Sequence, residues 1–266
     1  MMFLFLQKKA ITSLVLTVCV IFYAVLVEPN WIEFTHPTSK TDLGIRIVQL
    51  TDLHLHGIGK KEREVAREIS DLHPDLIVIT GDAVDHADGL EEFDEFLTLL
   101  PNVKIIGILG NWEYWSDTDF TQLKRIYEKR NGSKLLVNEG HYLQIKNKSL
   151  LIIGFDDFTA GSPSAPLIEP TKSADATIVL EHSPALFDDK KLDILSGQYS
   201  LCLAGHTHAG QVTLFGLPIW TPRGSGRFKS GMYETEHCPV YISRGIGTSI
   251  LHMRFGARPE VAVFDI

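Results

Sequence analysis

The clusters Asp52-Leu53-His54, Gly81-Asp82, Gly110-Asn111, Glu181-His182 and Gly205-His206-Thr207-His208 hold the histidines, carboxylates and amide of this chain that could act together. Imidazole, carboxylate and amide donors are what divalent-cation sites are built from, and their number here suits two ions. Taken singly, each cluster has a plainer explanation. Asp-x-His is more often a turn with a capping aspartate, Gly-Asp is common after a strand, and Gly-Asn is a favoured turn dipeptide. His182 alone reads as a hydrogen-bonded, partly buried histidine. The alternating histidines His206 and His208 are harder to explain by packing. All five clusters in order, each closing an apolar run, point to a metal site.

The runs that must position them are Ile45–Leu50, Leu76–Ile79, Ile105–Leu109, Ile178–Leu180 and the shorter Leu201–Ala204. Such runs read as strands buried on both faces, and in layered α/β folds ligands bind beyond the carboxyl ends of the strands. Apolar residues at helical spacing predict helices over Lys60–Leu72, Leu90–Leu100 and Asp117–Arg130, the last capped by Ser116 or Asp117. After Leu135 the helical period fades into short strands: His141–Ile145, Leu150–Phe155, Val212–Phe215, Val240–Ser243 and Glu260–Phe264. A βαβα first half and a β-rich second half predict an α/β (α+β) fold of two sheets packed face to face, with helices outside. No internal repeat or low-complexity tract is present.

The ordered set Asp-x-His, Gly-Asp, Gly-Asn, His, Gly-His-x-His resembles that of the calcineurin-like metallophosphoesterases, over roughly Gly44 to Ile266. Gly210-Gln211, Ser243-Arg244-Gly245-Ile246-Gly247, Arg254-Phe255 and Arg258-Pro259-Glu260 look like the membrane-anchored bacterial subfamily, which acts on phosphodiesters and lipid-linked substrates. The resemblance implies two mixed β-sheets packed as a sandwich flanked by helices. It also implies that Asp52, His54 and His208 hold one ion and Asn111, His182 and His206 the other, with Asp82 bridging through both carboxylate oxygens. Two ions roughly 3.5–4 Å apart clamp a phosphoryl group and hold a hydroxide for in-line attack. Mixed imidazole and carboxylate donors suit manganese, zinc or iron better than magnesium. Asn111, His182 and Asp82 are thus the expected catalytic residues. Trp112 stands where the superfamily usually places a histidine after Gly-Asn, one that contacts phosphate and protonates the leaving oxygen. General acid help is typically worth about 10²–10⁴ in rate. His56, His86 or His252 could supply it, or the leaving group needs none. Trp112, His56 and His252 are the candidate substrate contacts; for each, a surface or packing role is the plainer explanation.

Lys8-Lys9 precede an uncharged stretch, Ala10–Val27, that ends at Glu28-Pro29. As a helix it covers roughly 27 Å, near the hydrocarbon thickness of a bilayer. No small-x-small cleavage pattern follows, so an uncleaved transmembrane helix is expected rather than a signal peptide. Residues 1–29 then form the anchor, 30–43 a tether containing Pro37, and 44–266 the catalytic domain. Lysines before the span, with Glu28 and Glu33 after it, predict a single-pass protein of the cell membrane with its domain outside. The formal net charge of −8 argues against a nucleic-acid partner. Cys19, Cys202 and Cys238 make no disulfide framework; buried free thiols are expected, with a Cys202–Cys238 bridge left open. The Pro-rich loop Asp156–Lys172 could border a substrate groove or touch the membrane through Leu167 and Ile168. The basic Arg223–Lys229 segment could hold a second phosphate or an anionic head group. The sequence is silent on oligomeric state and on the natural substrate. The reading that follows is a membrane-anchored phosphodiesterase or pyrophosphohydrolase of a lipid-linked or nucleotide-sugar phosphate. The alternatives are a non-catalytic binding scaffold on the same fold and a metal-stabilised sensor.

Overall fold

A computed structural model describes residues 2–169, 173–189, 194 and 197–266; the end of the expected Asp156–Lys172 loop, with Pro170 and Lys172, lies outside them. Among the described residues, one six-stranded sheet runs in the order β1 (Glu33–Thr35), β14 (Glu260–Asp265), β2 (Arg46–Leu50), β3 (Leu76–Thr80), β4 (Lys104–Ile108) and β5 (Lys134–Leu136). The second runs β12 (Gly231–Glu234), β13 (Pro239–Ile242), β9 (Leu201–Ala204), β8 (Ala176–Leu180), β7 (Lys148–Gly154) and β6 (Glu139–Ile145). A two-stranded hairpin, β10 (Thr213–Leu214) and β11 (Leu217–Pro218), stands apart.

Strand alternation explains how the sheets stack. Along β3, Leu76 and Val78 join Ile47, Ile106, Leu150, Ile178 and Leu203 in a core shared by both sheets. Ile77 and Ile79 point the other way, into a second core with Val65, Ile69, Phe93, Phe96, Leu123 and Tyr127. These last residues belong to α2 (Lys60–Asp71), α3 (Leu90–Leu99) and α5 (Phe120–Glu128). Burial on both faces is why these strands read as unbroken apolar runs. The outer face of the second sheet buries Ile153, Val179 and Val240 against Leu186, Phe187 and Phe228.

Four features depart from the sequence reading. Helix α5 begins at Phe120 and is capped by Asp119, whose Oδ1 accepts the Thr121 and Gln122 amides at 2.9 and 3.1 Å. Asp117 is left-handed, with φ of 53°, which an N-cap is not. Val212–Phe215 is not a full strand: Thr213–Leu214 pairs with Leu217–Pro218 across a tight turn. Cys202 and Cys238 are joined in a disulfide rather than left as free thiols. In the expected tether, Glu33–Thr35 forms the edge strand β1, parallel to β14.

Helix α1 (Met2–Phe22) continues through a wider turn at Tyr23–Val27 and a tighter one at Glu28–Asn30. Within it, Gln7–Asn30 is long and apolar enough to cross a membrane, and its side chains are almost all exposed. Its lower end is clasped by the domain. Glu28 is buried and accepts the Gly256 and Ala257 amides at 3.0 and 2.7 Å, and the Ala24 carbonyl accepts the Arg254 amide at 2.8 Å.

Candidate metal centre

Strands β2, β3 and β4 run parallel, as do β7, β8 and β9, so the residues after β2, β3, β4, β8 and β9 emerge at one edge of the sandwich. Backbone bonds tie the emerging loops together. The Asp52 amide donates to Gly81 O at 3.0 Å, His54 to Asp82 O at 3.1 Å, and Gly205 to His182 O at 3.1 Å. Glycine at the joints is a matter of space: a Cβ at Gly110 would lie 2.3 Å from Asp82 Oδ1, and one at Gly205 2.0 Å from Thr51 Oγ1. Asp52, His54, Asp82, His206 and His208 all take positive φ, between 43° and 71°. Left-handed backbone costs L-residues roughly 1–2 kcal/mol each, and such strain gathers where side chains must be aimed for function.

All seven sequence-predicted donors come together, and all are buried. In one group, His208 Nε2 lies 3.2 Å from Asp52 Oδ1 and 3.3 Å from His54 Nε2. In the other, His182 Nε2 lies 3.1 Å from Asp82 Oδ2 and 3.3 Å from His206 Nδ1, and Asn111 Oδ1 is 3.2 and 2.7 Å from those two nitrogens. Asp82 stands between the two groups. Its Oδ2 is also 3.8 Å from His54 Nε2, while its Oδ1 accepts the Trp112 amide at 2.8 Å.

The donor set fits cations. His182 Nδ1–H donates to Thr80 O and His206 Nε2–H to Arg223 O, both at 2.7 Å. In the neutral rings the inward nitrogens are then bare lone pairs, aimed at Asn111 Oδ1 and at each other. Acceptors crowded this way require positive charge between them. Burial pushes the His206 imidazole below its usual range and holds that of His208 at about 4, which suits ligation. Burial also disfavours charge on His182, but Asp82 and Asp52 overcome it and raise that ring well above its ordinary value.

Several supporting residues carry no signal in the sequence reading. Buried Glu113 accepts the amides of Asp82 (3.0 Å), Ala83 (2.6 Å), Val84 (3.3 Å) and Gly110 (2.8 Å), splinting two of the loops. Burial and the Asp82 charge push its carboxyl up to about 7. Asp85 faces His54 Nδ1 at 3.4 Å; burial opposes its charge, but the imidazoles of His54 and His86 hold its carboxyl well below the usual range. The tail motifs acquire a role as well. Buried Arg254 donates to the carbonyls of Gly247, Arg244, Gly245 and Ala257, and stands 3.3 Å from His208 Nδ1.

A cavity of about 680 Å³ opens onto Asp82, Asn111, His206 and His208, and Trp112, Trp115, Val212, Ile219, Trp220 and Leu251 give it apolar walls. Trp112 packs edge-on to His54, and its indole N–H donates to Ser249 Oγ at 3.1 Å. His56 and His252 are not among the lining residues. At the surface His56 meets His252 edge-on and stacks on His86, and His56 and His86 both bond Asp85, at 3.1 and 3.0 Å.

Fold and donor set define a metal-dependent phosphoester hydrolase. The family model of the calcineurin-like phosphoesterases matches residues 45–210, and the chain belongs to that family. It is 32% identical over 262 residues to the metallophosphoesterase YkuE of Bacillus subtilis, covering 92% of this chain and 88% of that protein. Phosphodiesterase YaeI of Escherichia coli is 28% identical over 252 residues, 90% of each chain. A Danio rerio transmembrane protein with a metallophosphoesterase domain is 26% identical over 280 residues, 96% of this chain and 62% of its own.

Proposed function

We propose that this chain is a membrane-anchored phosphodiesterase or pyrophosphohydrolase of a lipid-linked or nucleotide-sugar phosphate. The observation that carries this reading is the apolar, tryptophan-walled cavity opening directly onto the two donor groups. Asp52, His54 and His208 would hold one ion, Asn111, His182 and His206 the other, with Asp82 serving both. Manganese, zinc and iron suit this donor set. Bound together, such ions polarise a phosphoryl oxygen and supply a nucleophile at neutral pH. The protein's own part is to aim the donors through the Thr80 and Arg223 carbonyls, to keep water from the walls, and to offer Trp112 as a surface for the substrate's apolar portion. Trp112 leaves no imidazole beside the leaving group, and His56, His86 and His252 lie outside the cavity lining. The reaction would therefore favour leaving groups that depart without an acid.

The span Gln7–Asn30 supports anchoring, as does the likeness to the Danio rerio transmembrane protein. A disulfide between Cys202 and Cys238, together with Lys8 and Lys9 before the span, supports a domain outside the cytoplasm. The test uses full-length protein in lipid nanodiscs, stripped by chelator and reloaded with manganese. Close to two ions per chain and turnover of bis(p-nitrophenyl) phosphate are expected, and Asp82→Asn should lose both. One ion or none in a folded sample would overturn the dinuclear reading. Two ions without turnover of any phosphodiester, phospholipid or nucleotide sugar would make the chain a binding scaffold.

A further inference from the structure

Two loop tips beside the cavity carry large apolar side chains in unfavourable backbone. Phe215 and Gly216 form the β10–β11 turn with φ of 51° and 78°, positions that Asn-Gly fills with least strain. Phe215 stands there 96% exposed. In the neighbouring loop Ile250 takes φ of 56°, an outlier for a β-branched residue, and is 72% exposed. Leu214, Leu217, Trp220 and Leu251 are exposed around them. Neither tip packs into the fold, so folding alone accounts for neither choice.

Both tips are tied to the segment that clasps the span. Thr213 N donates to Phe255 O and Phe255 N to Gln211 O, each at 2.8 Å. Gln211 Nε2 donates to Ser249 O and Leu251 O at 3.0 Å, so the second loop is pinned to the first. The Phe255 ring meets Tyr23 edge-on at 6.2 Å, and the neighbouring Arg254 and Gly256 amides bond Ala24 O and Glu28. Trp31, just beyond the span, lies under the Arg258 guanidinium at 4.1 Å, an arrangement suited to the head-group level of a bilayer. The exposed tips thus share one end of the molecule with the membrane-crossing helix.

We infer that the β10–β11 hairpin and the Ser249–His252 loop form a second membrane contact, with Phe215 and Ile250 immersed in the bilayer interface. This rests on the anchored reading above. It deepens that reading, because Ile219, Trp220, Ile250 and Leu251 line the cavity. An acyl chain would pass from the bilayer to the metal centre along apolar walls, without crossing water.

Cysteine is introduced singly as Phe215→Cys, Ile250→Cys or Asn147→Cys in full-length Cys19→Ser protein, labelled with an environment-sensitive fluorophore and placed in phosphatidylethanolamine–phosphatidylglycerol nanodiscs. Asn147 lies in the β6–β7 turn, at the opposite end of the sandwich. Labels at 215 and 250 should be quenched by spin-labelled lipid at least 3-fold more than at 147, and by aqueous iodide at least 3-fold less. Equal iodide quenching at all three positions would overturn the inference. So would protection from both quenchers in a protein that runs as a dimer, because a second copy would then cover the tips. The labels report depth without turnover, so an inactive protein still decides the question. If turnover is present, Phe215→Ser should raise KM at least 3-fold for a diacylglycerol p-nitrophenyl phosphodiester in vesicles. Its kcat, and the rate on soluble bis(p-nitrophenyl) phosphate, should stay unchanged; an unchanged KM would count against the contact.

Discussion

Glu113 has no place in a metal-ligand pattern, yet the geometry of Asp82 hangs on it. Its carboxylate is the shared acceptor for amides from the loops after β3 and β4. Each buried amide left without a partner costs about 1–3 kcal/mol. Glu113→Ala should therefore lower stability by at least about 3 kcal/mol and weaken cation binding, with Glu113→Gln intermediate; denaturant unfolding and metal titration of the same samples check this. His182 sets a second expectation. Asp82 and Asp52 raise its imidazole above the ordinary value, so the ring is protonated below that raised value and a cation must displace the proton. Cation affinity should fall as pH falls below that raised value, with proton release on binding. Calorimetry in buffers of different ionisation enthalpy should show a buffer-dependent heat, and a buffer-independent heat would show that His182 carries no extra proton before the cation binds.

Helix α4 (Asn111–Trp115) puts a donor and a cavity wall on consecutive residues, so its first turn couples the donor cluster to the cavity. If Trp112 binds substrate, Trp112→Ala should raise KM for the true substrate several-fold with kcat and metal content retained. If the missing imidazole is what matters, Trp112→His should instead raise rates selectively on poor leaving groups. Unchanged kinetics in both variants would reduce Trp112 to packing. The end of the N-terminal helix is an element of another kind. Glu28 is buried at its last turn to satisfy two amides of the Gly256–Ala257 segment. Glu28→Ala should cost about 2 kcal/mol or more and expose Arg258 to trypsin. Proteolysis at an unchanged rate would show that the helix only tethers.

At the scale of the whole molecule, the donor cluster, the clasped end of the N-terminal helix and the apolar tips lie at one end. The Cys202–Cys238 disulfide closes a loop of sequence separation 36 between adjacent strands β9 and β13. The chain-entropy estimate for that loop is about 4 kcal/mol. Reduction, or paired Cys202→Ser and Cys238→Ser changes, should lower the unfolding free energy by up to that amount while leaving metal stoichiometry at two. No shift of the unfolding midpoint with reductant would mean that the thiols are free in the native protein, and would remove the disulfide's support for an external domain.

The donors, their order and the strands that carry them could be read from the sequence, because each is a local pattern: an apolar run buried on both faces, then a short polar cluster at its end. The helices α2, α3 and α5 were readable for the same reason, through their 3.6-residue spacing. Contacts between distant residues were not. Strand β1 is too short and polar to announce itself, and it exists because Glu33 pairs with Glu260 across nearly the whole chain. Asn111-Trp112-Glu113-Tyr114-Trp115 gave no helical period to detect, and Glu113 acquires its meaning only when Asp82 is beside it. The same holds for Asp85 behind His54, for Arg254 among its carbonyls and for the disulfide. Which imidazole nitrogen faces inward was likewise undecided by residue type, because carbonyls of Thr80 and Arg223, brought in by other strands and loops, choose the tautomer. Sequence determines which donors exist and that they meet, since local periodicity sets the strands and their ends. Tertiary structure alone decides how each donor is aimed, because hydrogen-bond partners far along the chain set the orientation of every side chain in the site.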